Sequence, residues 1–463
     1  MDEPLRILYI SHYFPPEVNA PAVRVSEMAS RWADNGADVT VLTCFPNHPT
    51  GIIPKEYRGL WRYRETRGKI KVIRTYVHAA PNKGFFKRIL NYLSFMTSSI
   101  ILGVPMIGKT DIVIATSPQF FVAVAGYVIS RIKRSKFIFE VRDLWPEEII
   151  AVGALKNKLA IRILEAIETF LYRKADLVVT VANGALQTLK ERGIPESKLR
   201  LIPNGVDIDF LHNYANGELV RRQLDLEDKF VVGYIGTHGM AHRLDIVLEA
   251  AFKMRDQDDI SFLFVGDGAE KENLTRMALR LNLKNVIFHN QIDRARIPEF
   301  YGTCDLCLVP MRKGGIFTRN IPSKIYEIMA AGKPIIICAD GESRNMVERS
   351  GAGIVSRPED ADDLVEKILY LRRESEFRER MGRNGYSFVL ANSSRHRLAD
   401  DYLDILDGIA GRNSRIILAN NLTATTDDIE CSMDMRIEHY IPKMPGIRIN
   451  KEEQDVAGKP AHL

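Results

Sequence analysis

The chain has 463 residues, of which 46% are hydrophobic and 27% are charged, as in an ordinary globular protein. This length exceeds what one hydrophobic core supports, so at least two domains are expected. A formal net charge of +5 is too small to indicate nucleic-acid binding, and we expect no nucleic-acid partner.

The cysteines and the start of the chain predict a reducing, cytoplasmic setting. The five cysteines follow no disulfide framework, and the start, MDEPLRILYI, is charged and unlike a signal peptide. Cys304 and Cys307 form a C-x-x-C, but TCDLCLVP resembles a strand, in which positions i and i+3 point to opposite faces. We therefore expect structural thiols here rather than a metal site.

The first part of the chain alternates short apolar runs with helical patterns, which is typical of parallel strands covered on both faces. LRILYI (5–10) predicts the first strand, Pro21 opens a helical pattern that Gly36 ends, and DVTVLT (38–43) predicts the next strand. Later runs of the same kind are IKVIRT, DIVIAT, KFIFEV and DLVVTV.

The segment 82–109 joins Lys83, Lys87 and Arg88, at its basic end, to a long apolar and aromatic run that predicts a helix over 84–107. Polar residues and Pro105 interrupt it, so it is weak as a transmembrane span. Two interpretations stay open: a helix lying on the membrane with its basic end at the headgroups, or a core helix of an α/β domain.

A second set of strands follows LIPNGVDIDF (201–210), where a strand ends and a turn begins. FVVGYIG (230–236) restarts the pattern. The remaining strands of this set are predicted for SFLFVGDG, NVIFHN, DLCLVP and PIIICA.

These patterns predict two doubly wound, Rossmann-like parallel-sheet domains of the α/β class. Their carboxyl-end loops would face each other across a cleft, where such folds bind ligands. The predicted divisions are an N-terminal domain (1–205), a C-terminal domain (206–392), a helix that closes the second domain (393–410) and an irregular tail (411–463).

The stretch TRNIPSKIYEIMAAGKPIIICADGE (318–342) contains the most informative helix. Pro322 and Ser323 stand where the helix begins, so its first N–H groups and Lys324 form an anion site. Glu327, one turn later, is an acceptor suited to the two hydroxyls of a ribose. Together these groups favour a bound nucleotide over the alternative, an ordinary capped helix with a solvated glutamate.

The segment PSKIYEIMAAGKPII (322–336) resembles the C-domain signature of retaining GT-B glycosyltransferases of family 4. More specifically, it resembles the bacterial branch that builds surface polysaccharides such as O-antigen and capsule. The resemblance covers nearly all of residues 5–405 and includes SHYFPPEVNAPAVRVSEMASRWADNGADVTVLT, FEVRDLWPE, KADLVVTVANG, LKERGIPESKLRLIPNGVD, GYIGTHGMAHRLDIVLEAA and VGDGAEK.

The resemblance implies the GT-B fold, with the acceptor on the N-terminal domain and a nucleotide-sugar on the C-terminal domain. It implies that Glu327 holds the nucleotide ribose and that the helix start at Ser323 and Lys324 meets the diphosphate. In the loop GTHGMAHR, Gly236 lets the backbone approach the ligand. His238, His242 and Arg243 stand where the family places an Arg/Lys pair.

An always-charged Arg243 suits a leaving diphosphate better than neutral histidines do. Which of the three residues makes the contact stays open, as does the alternative that Arg243 is a solvated first-turn residue.

The chain departs from the family at one glutamate. The widespread pattern has two glutamates with seven residues between them; Glu327 matches the second, and Arg319 occupies the first position. The donor sugar, or the way it is held, should therefore differ here. We expect Thr318, Arg319, Asn320 and Glu342 to line the sugar pocket.

The acceptor side is predicted around RDLWPE (142–147) and the loop 12–24. Asp143 could orient or deprotonate an acceptor hydroxyl, or it could cap a helix; Arg142 could offset its charge or meet an acceptor phosphate. Asn19 is small enough for close approach to the ligand, and His12 is expected to be a buried hydrogen-bonding group rather than a base.

No catalytic metal and no cofactor are expected, since the nucleotide-sugar is a substrate. The D-x-D triplets at Asp207/Asp209 and Asp360/Asp362 lie away from the expected diphosphate. Basic groups and the helix dipole would compensate the diphosphate charge instead.

The resemblance implies a retaining transferase that moves a sugar from a nucleotide-sugar, expected to be a UDP-sugar. The acceptor would be a hydroxyl of a polyprenyl-diphosphate-linked saccharide at the inner face of the cytoplasmic membrane, where helix 84–107 would hold the enzyme. Arg243 and Lys324 would stabilise the leaving diphosphate. Two alternatives stay open: a GT-B UDP-sugar 2-epimerase, and a non-catalytic GT-B binding subunit.

Overall fold

The computed structural model describes residues 3–48, 50–80, 85–117, 120–151, 153 and 155–412. Residue 84, at the start of the predicted apolar helix, and residues 413–463 of the predicted tail lie outside the described residues.

The strands lie close to the apolar runs that predict them. They are β1 (Arg6–Ile10), β2 (Asp38–Cys44), β3 (Arg62–Arg67), β4 (Ile70–Thr75), β5 (Ile112–Thr116), β6 (Lys136–Val141), β7 (Leu177–Thr180), β8 (Leu199–Leu201), β9 (Phe230–Ile235), β10 (Ile260–Val265), β11 (Val286–His289), β12 (Leu306–Pro310), β13 (Ile335–Cys338) and β14 (Gly353–Val355).

Helices separate most of these strands, as right-handed crossovers between parallel strands require. They are α1 (Ala20–Asp34), α2 (Phe85–Ser98), α3 (Phe120–Lys133), α4 (Glu147–Ala151), α5 (Lys158–Lys174), α6 (Asn183–Glu191), α7 (Ile208–Asn213), α8 (Glu218–Gln223), α9 (Leu244–Lys253), α10 (Lys271–Arg280), α11 (Ile297–Thr303), α12 (Ser323–Ala330), α13 (Glu342–Ser350), α14 (Ala361–Arg373), α15 (Ser375–Asn392) and α16 (Arg395–Ile409).

The strands form two sheets, which confirms the predicted pair of α/β domains. The first sheet has the order β3-β4-β2-β1-β5-β6-β7-β8, and the second has the order β11-β10-β9-β12-β13-β14. Each pairing is parallel except that of the edge strand β3 with β4. In each sheet the strand order reverses once, between β1 and β5 and between β9 and β12. Such switch points open a crevice at the carboxyl ends of the strands.

The second switch point positions the predicted ligand site. The loop 236–243 leaves β9 there, and the segment leading to α12 leaves β12. A backbone hydrogen bond from Arg312 N to Ala241 O (2.8 Å) joins these two segments. The residues predicted to contact the nucleotide therefore lie at one edge of the second sheet.

Helix α16 packs on the first sheet, although the sequence pattern predicts that it closes the second. Trp32 of α1 donates from Nε1 to Ala399 O (2.8 Å), and its ring meets Tyr402 edge-on at 5.3 Å. Both aromatic side chains are buried in the core of the first domain. The chain thus crosses back to its first domain after completing the second.

The expectation for the C-x-x-C was wrong in its geometry. Cys304 precedes β12 rather than lying in it, so the i and i+3 rule for strands does not apply. The two buried thiols are hydrogen-bonded to each other. This bond and the burial of the thiol both raise the pKa of Cys307.

The apolar segment after α2 continues as a π-helical turn (Ser99–Gly103) and a 3-10 turn (Val104–Met106). Among the described residues one helix, Lys87–Met106, is long and apolar enough to cross a membrane, and 33% of its apolar window is buried. Leu90 and Ile101 are 50% and 64% exposed. Their spacing of eleven residues puts both on one helix face, so a core position explains only part of this segment.

Candidate functional site

Lys324 is a buried cation at the start of α12. No side chain caps this helix, whose N-cap is Pro322. The Lys324 Nζ atom lies 3.8 Å from the centroid of the Tyr234 ring and has no hydrogen-bond partner. Burial lowers the pKa of Lys324 to about 7, while the negative charge of Glu327 acts in the opposite direction. A buried amine without a counter-ion at a helix N-terminus is an arrangement suited to an anion.

The loop after β9 has glycine where the lysine approaches. A Cβ on Gly236 would lie 2.8 Å from Lys324 Nζ, and the residue has a φ of +142°, which side chains rarely adopt. Gly266 and Gly268, in the turn after β10, contact the same loop. A Cβ added to Gly266 would lie 2.1 Å from Gly236 O, and a Cβ added to Gly268 would lie 2.4 Å from His238 O. At these glycines the two turns thus pack backbone against backbone, beside Lys324.

His238 and His242 are neutral groups in this site. Burial, together with the charges of Lys271 and Lys324, lowers the pKa of His238 to about 4. Burial likewise lowers the pKa of His242 to about 3. Both ring nitrogens of His238 are buried without a hydrogen-bond partner. His238 is therefore able to donate one hydrogen bond to a ligand but not to supply a charge at neutral pH.

Glu327 lies one turn after Lys324, as predicted, and is half-buried. Its Oε2 atom accepts a hydrogen bond from the hydroxyl of buried Tyr301 at 2.9 Å, so the carboxylate is held in place by α11. A carboxylate has two acceptor oxygens, and this bond involves one of them. Ser323 is the first residue of α12 and is half-buried.

Arg243 is held by carboxylates rather than directed at Lys324. It has a left-handed backbone (φ 42°, ψ 48°), donates from Nε to Asp245 Oδ1 (3.0 Å) and from Nη2 to Asp245 Oδ2 (2.9 Å), and pairs through Nη1 with Glu359 (2.7 Å). These bonds, first that to Asp245, raise its pKa. The predicted contact of Arg243 with a diphosphate stays a prediction, and it would require this residue to leave two partners.

The residues predicted to line the sugar pocket lie where the two domains meet. Arg319 donates to Thr188 Oγ1 of α6 at 3.1 Å, and Glu342 accepts the backbone N–H of Asn183 at 3.1 Å. Thr318 Oγ1 donates to Gly315 O (2.8 Å), and Asn320 O accepts from Ser343 (2.6 Å).

In the first domain, Arg142 and Asp143 follow β6 at the carboxyl edge of the sheet. Burial, together with the charge of nearby Arg24, lowers the pKa of Arg142 to about 10. The backbone N–H groups of Arg142 and Asp143 both donate to Ser117 Oγ, at 2.7 and 3.3 Å. Asp143 precedes the first residue of α4, Glu147, by four positions, so it is not the N-cap of that helix.

A buried ion pair supports this edge. Arg24 Nη2 lies 3.1 Å from Glu140 Oε2, and the two side chains are 1% and 0% exposed. The Arg24 guanidinium also donates to the carbonyls of Ile202 (3.0 Å) and Pro203 (2.6 Å). Such a fully bonded pair positions the chain between the domains.

A small polar pocket of about 20 Å³ opens beside β1, lined by His12, Tyr13, Asn47, His48, Ala80, Arg88, Asn91 and Tyr92. His12 is buried, and burial lowers its pKa to about 3, as its predicted role as a buried group rather than a base requires. The Nδ1 atoms of His12 and His48 lack partners. A pocket of this volume accommodates one water-sized group such as a hydroxyl.

Asn19, predicted to approach the ligand, caps α1 instead: its Oδ1 accepts from Ala22 N at 3.0 Å. Among the described residues, no group of three or more His, Cys, Asp or Glu side chains is arranged to hold a metal ion.

Sequence reasoning missed Tyr234 and Tyr301, which hold Lys324 and Glu327. Tyr234 is the penultimate residue of β9, directly before the loop it supports, and this position is the only signal that the sequence offers. Tyr301 lies in a separate helix, 26 residues before its partner, and no local pattern links the two.

Comparison with known families assigns a description to each half of the chain. Residues 19–205 match the family described as "Glycosyl transferase 4-like domain". Residues 217–388 match "Glycosyl transferases group 1".

Two bacterial proteins illustrate the similarity in sequence. The chain is 26% identical over 377 residues to the putative colanic acid biosynthesis glycosyl transferase WcaI of Escherichia coli, covering 79% of this chain and 91% of that protein. It is 26% identical over 203 residues to the putative teichuronic acid biosynthesis glycosyltransferase TuaH of Bacillus subtilis, covering 43% of this chain and 49% of that protein.

Solved structures share the fold. Sucrose-phosphate synthase from Thermosynechococcus elongatus superposes with a TM-score of 0.68 at 17% identity, covering 88% of this chain and 99% of its own. Anabaena Alr3699/HepE in complex with UDP and glucose superposes with a TM-score of 0.65 at 18% identity, covering 87% and 99%.

Proposed function

Since the chain is a GT-B glycosyltransferase, with a glycosyl transferase 4-like domain followed by a glycosyl transferases group 1 domain, we propose that it is a retaining enzyme of bacterial surface-polysaccharide synthesis. It would transfer a sugar from a UDP-sugar to a hydroxyl of a saccharide linked to a polyprenyl diphosphate. The observation that carries this proposal is buried Lys324 without an anionic partner, facing Gly236, one turn before Glu327.

The donor would lie along the start of α12. Lys324 and the first N–H groups of α12 compensate the diphosphate, and Glu327, oriented by Tyr301, accepts the ribose hydroxyls. His238 donates one further hydrogen bond from its neutral ring. These groups supply the charge compensation that a metal ion would otherwise provide, so we propose transfer without a metal.

The nature of the donor and product rests on relatives. HepE is solved with UDP and with UDP-glucose, and the names of WcaI and TuaH refer to colanic and teichuronic acid synthesis. We extend the UDP-sugar donor and the polysaccharide product to this chain as part of the proposal.

Retention would follow from attack on the same face from which the diphosphate departs. Lys324 and the α12 amides stabilise the developing negative charge of the diphosphate. Asp143, in the loop after β6, would orient the attacking hydroxyl. The polar pocket at His12 and His48 has room for one further hydroxyl of the acceptor saccharide.

The acceptor's lipid would be met by the apolar helix Lys87–Met106, which also would hold the enzyme at the cytoplasmic face of the membrane. Its exposed face carries Leu90 and Ile101, and Arg88 at its basic end lines the polar pocket. The helix thus connects the lipid surface to the pocket proposed for the saccharide.

The proposal is tested by incubating the purified protein with UDP-, GDP- and dTDP-sugars and a short lipid-diphosphate-linked saccharide, with and without EDTA. Mass spectrometry follows the acceptor mass and nucleotide release. We expect the acceptor to gain one sugar mass from a UDP-sugar in the presence of EDTA, and NMR of the product to show the donor's anomeric configuration. Isomerised UDP-sugar with an unchanged acceptor would indicate a 2-epimerase; tight binding without turnover would indicate a binding subunit.

A further inference from the structure

Arg319 and Glu342 both reach from the second domain to α6 of the first. Arg319 Nη1 donates to Thr188 Oγ1 at 3.1 Å and lies 3.7 Å from Glu147 Oε2 at the start of α4. Thr188 is buried. A cation that touches two elements of the opposite domain is placed to hold the two domains together.

Glu342 completes the start of α6. The N-cap of α6 is Ala182, which offers no side-chain acceptor. Glu342 Oε2 instead accepts the N–H of Asn183 at 3.1 Å, and the N–H of Gly184 also bonds to this carboxylate. One domain thus supplies the helix cap that the other lacks, and a carboxylate at a helix N-terminus is favoured by the helix dipole.

Gly184 fixes how closely the two domains approach. A Cβ on this residue would lie 2.8 Å from Glu342 Oε1, 2.9 Å from Arg319 Cβ and 3.0 Å from Arg319 Cα. The backbone of Arg319 cannot yield as a flexible side-chain end could. The contact of Arg319 and Glu342 with α6, which we name the α6 clamp, therefore depends on the absence of a side chain at residue 184.

We propose that Arg319 and Glu342 are positioning residues that hold the two domains closed around the donor, and that neither is a contact to the donor sugar. This inference rests on the proposed glycosyl transfer. It gives a role to the arginine at residue 319, whose guanidinium faces the opposite domain. Closure of this kind excludes water from the reacting centre.

Gly184→Ala tests the clamp without removing any polar group. Alanine favours a helix more than glycine by about 1 kcal/mol, so the variant should fold, yet its methyl group would separate Glu342 and Arg319 from α6. We expect kcat to fall about fivefold or more with little change in UDP affinity, and donor hydrolysis to rise relative to transfer. Gly408→Ala in α16, where a Cβ meets nothing within 4 Å, is the matched control and should leave all three unchanged.

Thr188→Val separates the clamp from a sugar contact, because Thr188 belongs to the first domain. Its Oγ1 atom accepts from Arg319 (3.1 Å) and donates to Gly184 O within α6 (2.7 Å). The clamp predicts a lower kcat with an unchanged KM for the donor; if Arg319 served the sugar instead, kcat would stay at the wild-type value and the proposal would be refuted.

Hydrogen exchange of the α6 amides gives a readout that needs no catalysis. The N–H of Asn183 should exchange faster in Gly184→Ala and Glu342→Ala than in the wild type and in Gly408→Ala. Equal exchange in all four proteins would overturn the clamp even if transfer were observed. If the wild type transferred no sugar but these amides lost protection as expected, the proposed function would fail and the clamp would stand.

Discussion

Through Lys324, binding of UDP at the proposed donor site should depend on pH. Burial lowers its pKa to about 7 from the ordinary 10.5 of lysine, so the free enzyme loses this positive charge as the pH rises above 7. Affinity for UDP should therefore fall between pH 7 and pH 9, since the diphosphate must recruit a proton to the amine on binding. His238 and His242, with pKa values of about 4 and 3, are neutral throughout this range and contribute nothing to the change.

Calorimetric titration of UDP at several pH values in buffers of different ionisation enthalpy would measure this proton uptake. Lys324→Met is the matched variant, and its weak binding should not vary across the range. Proton release or no proton change on UDP binding would contradict the assignment.

The same pKa shift has a consequence for folding. The unfolded state binds the proton more tightly between pH 7 and 10.5, so the contribution of Lys324 should make the folded protein more stable as the pH rises through this window.

Glu327 and Tyr301 are hydrogen-bonded to each other, and substituting them should reduce UDP affinity to different extents. Glu327→Ala removes the acceptor proposed for the ribose and should abolish measurable UDP binding. Tyr301→Phe removes only the 2.9 Å hydrogen bond that orients the carboxylate, and a bond to a charged group contributes about 1.5–3 kcal/mol. UDP affinity should therefore fall by about tenfold or more in Tyr301→Phe.

Titration calorimetry would rank the wild type, Tyr301→Phe and Glu327→Ala in that order. Unchanged affinity in Glu327→Ala would remove α12 from the nucleotide site.

For single residues, the sequence predicted which side chains lie near the site but not which partners they contact. Lys324 and Glu327 stand on one short helix, so their separation follows from helix geometry alone. Its residue type and its loop predict Arg243 at the diphosphate, whereas it pairs with Asp245, two residues later, and with Glu359, 116 residues later in another loop. Ion pairs between distant segments depend on the tertiary fold and leave no local pattern.

Among the elements, the apolar helix Lys87–Met106 makes a prediction about membranes. Replacing exposed Leu90 and Ile101 by aspartate places two charges on the proposed lipid-facing surface, so binding to anionic vesicles should fall sharply. Leu279→Asp is the matched control, since Leu279 of α10 is 75% exposed but lies in the second domain.

Vesicle co-sedimentation measures this effect, and circular dichroism checks that the variants are folded. Loss of binding in the double variant alone supports the lipid surface. Equal binding by all three proteins would show that the helix plays no part in it.

Elements with uniform apolar runs were predictable and polar edge elements were not. The strand β3, RYRETR, has charged residues at four of its six positions, the exceptions being Tyr63 and Thr66, and most of its side chains are exposed. It lies at the sheet edge, where a strand needs no apolar face. By contrast β1, β5 and β13 are covered on both faces and are apolar throughout most of their length. Burial, rather than intrinsic preference, is what makes a strand visible in the sequence.

For the whole molecule, we expect the packing of α16 on the first domain to contribute strongly to the free energy of unfolding. Tyr402 is 0% exposed against Trp32, and its hydroxyl is buried without a hydrogen-bond partner. Tyr402→Ala should lower the free energy of unfolding by about 3–5 kcal/mol, as for other large buried aromatic side chains. Tyr402→Phe removes only the unpaired hydroxyl, so it should leave stability unchanged or raise it.

Urea denaturation followed by tryptophan fluorescence would measure both variants. A large loss in Tyr402→Phe would mean that the hydroxyl has a partner, and a small loss in Tyr402→Ala would mean that α16 is dispensable for the first domain.

The destination of α16 could not be read from the sequence. Its helical pattern predicts an apolar face, which any exposed apolar surface of either domain would cover. The deciding contacts are the hydrogen bond from Trp32 to Ala399 and the ion pair between Arg31 and Asp400 at 2.6 Å, which join segments more than 360 residues apart.

This return of the chain has a consequence for synthesis on the ribosome. The first domain is translated first, but the helix that covers Trp32 arrives only after the entire second domain has been made. Until then the nascent N-terminal domain exposes an apolar surface, and such a surface favours aggregation and chaperone binding. The first domain is therefore completed only after the second domain has been synthesised.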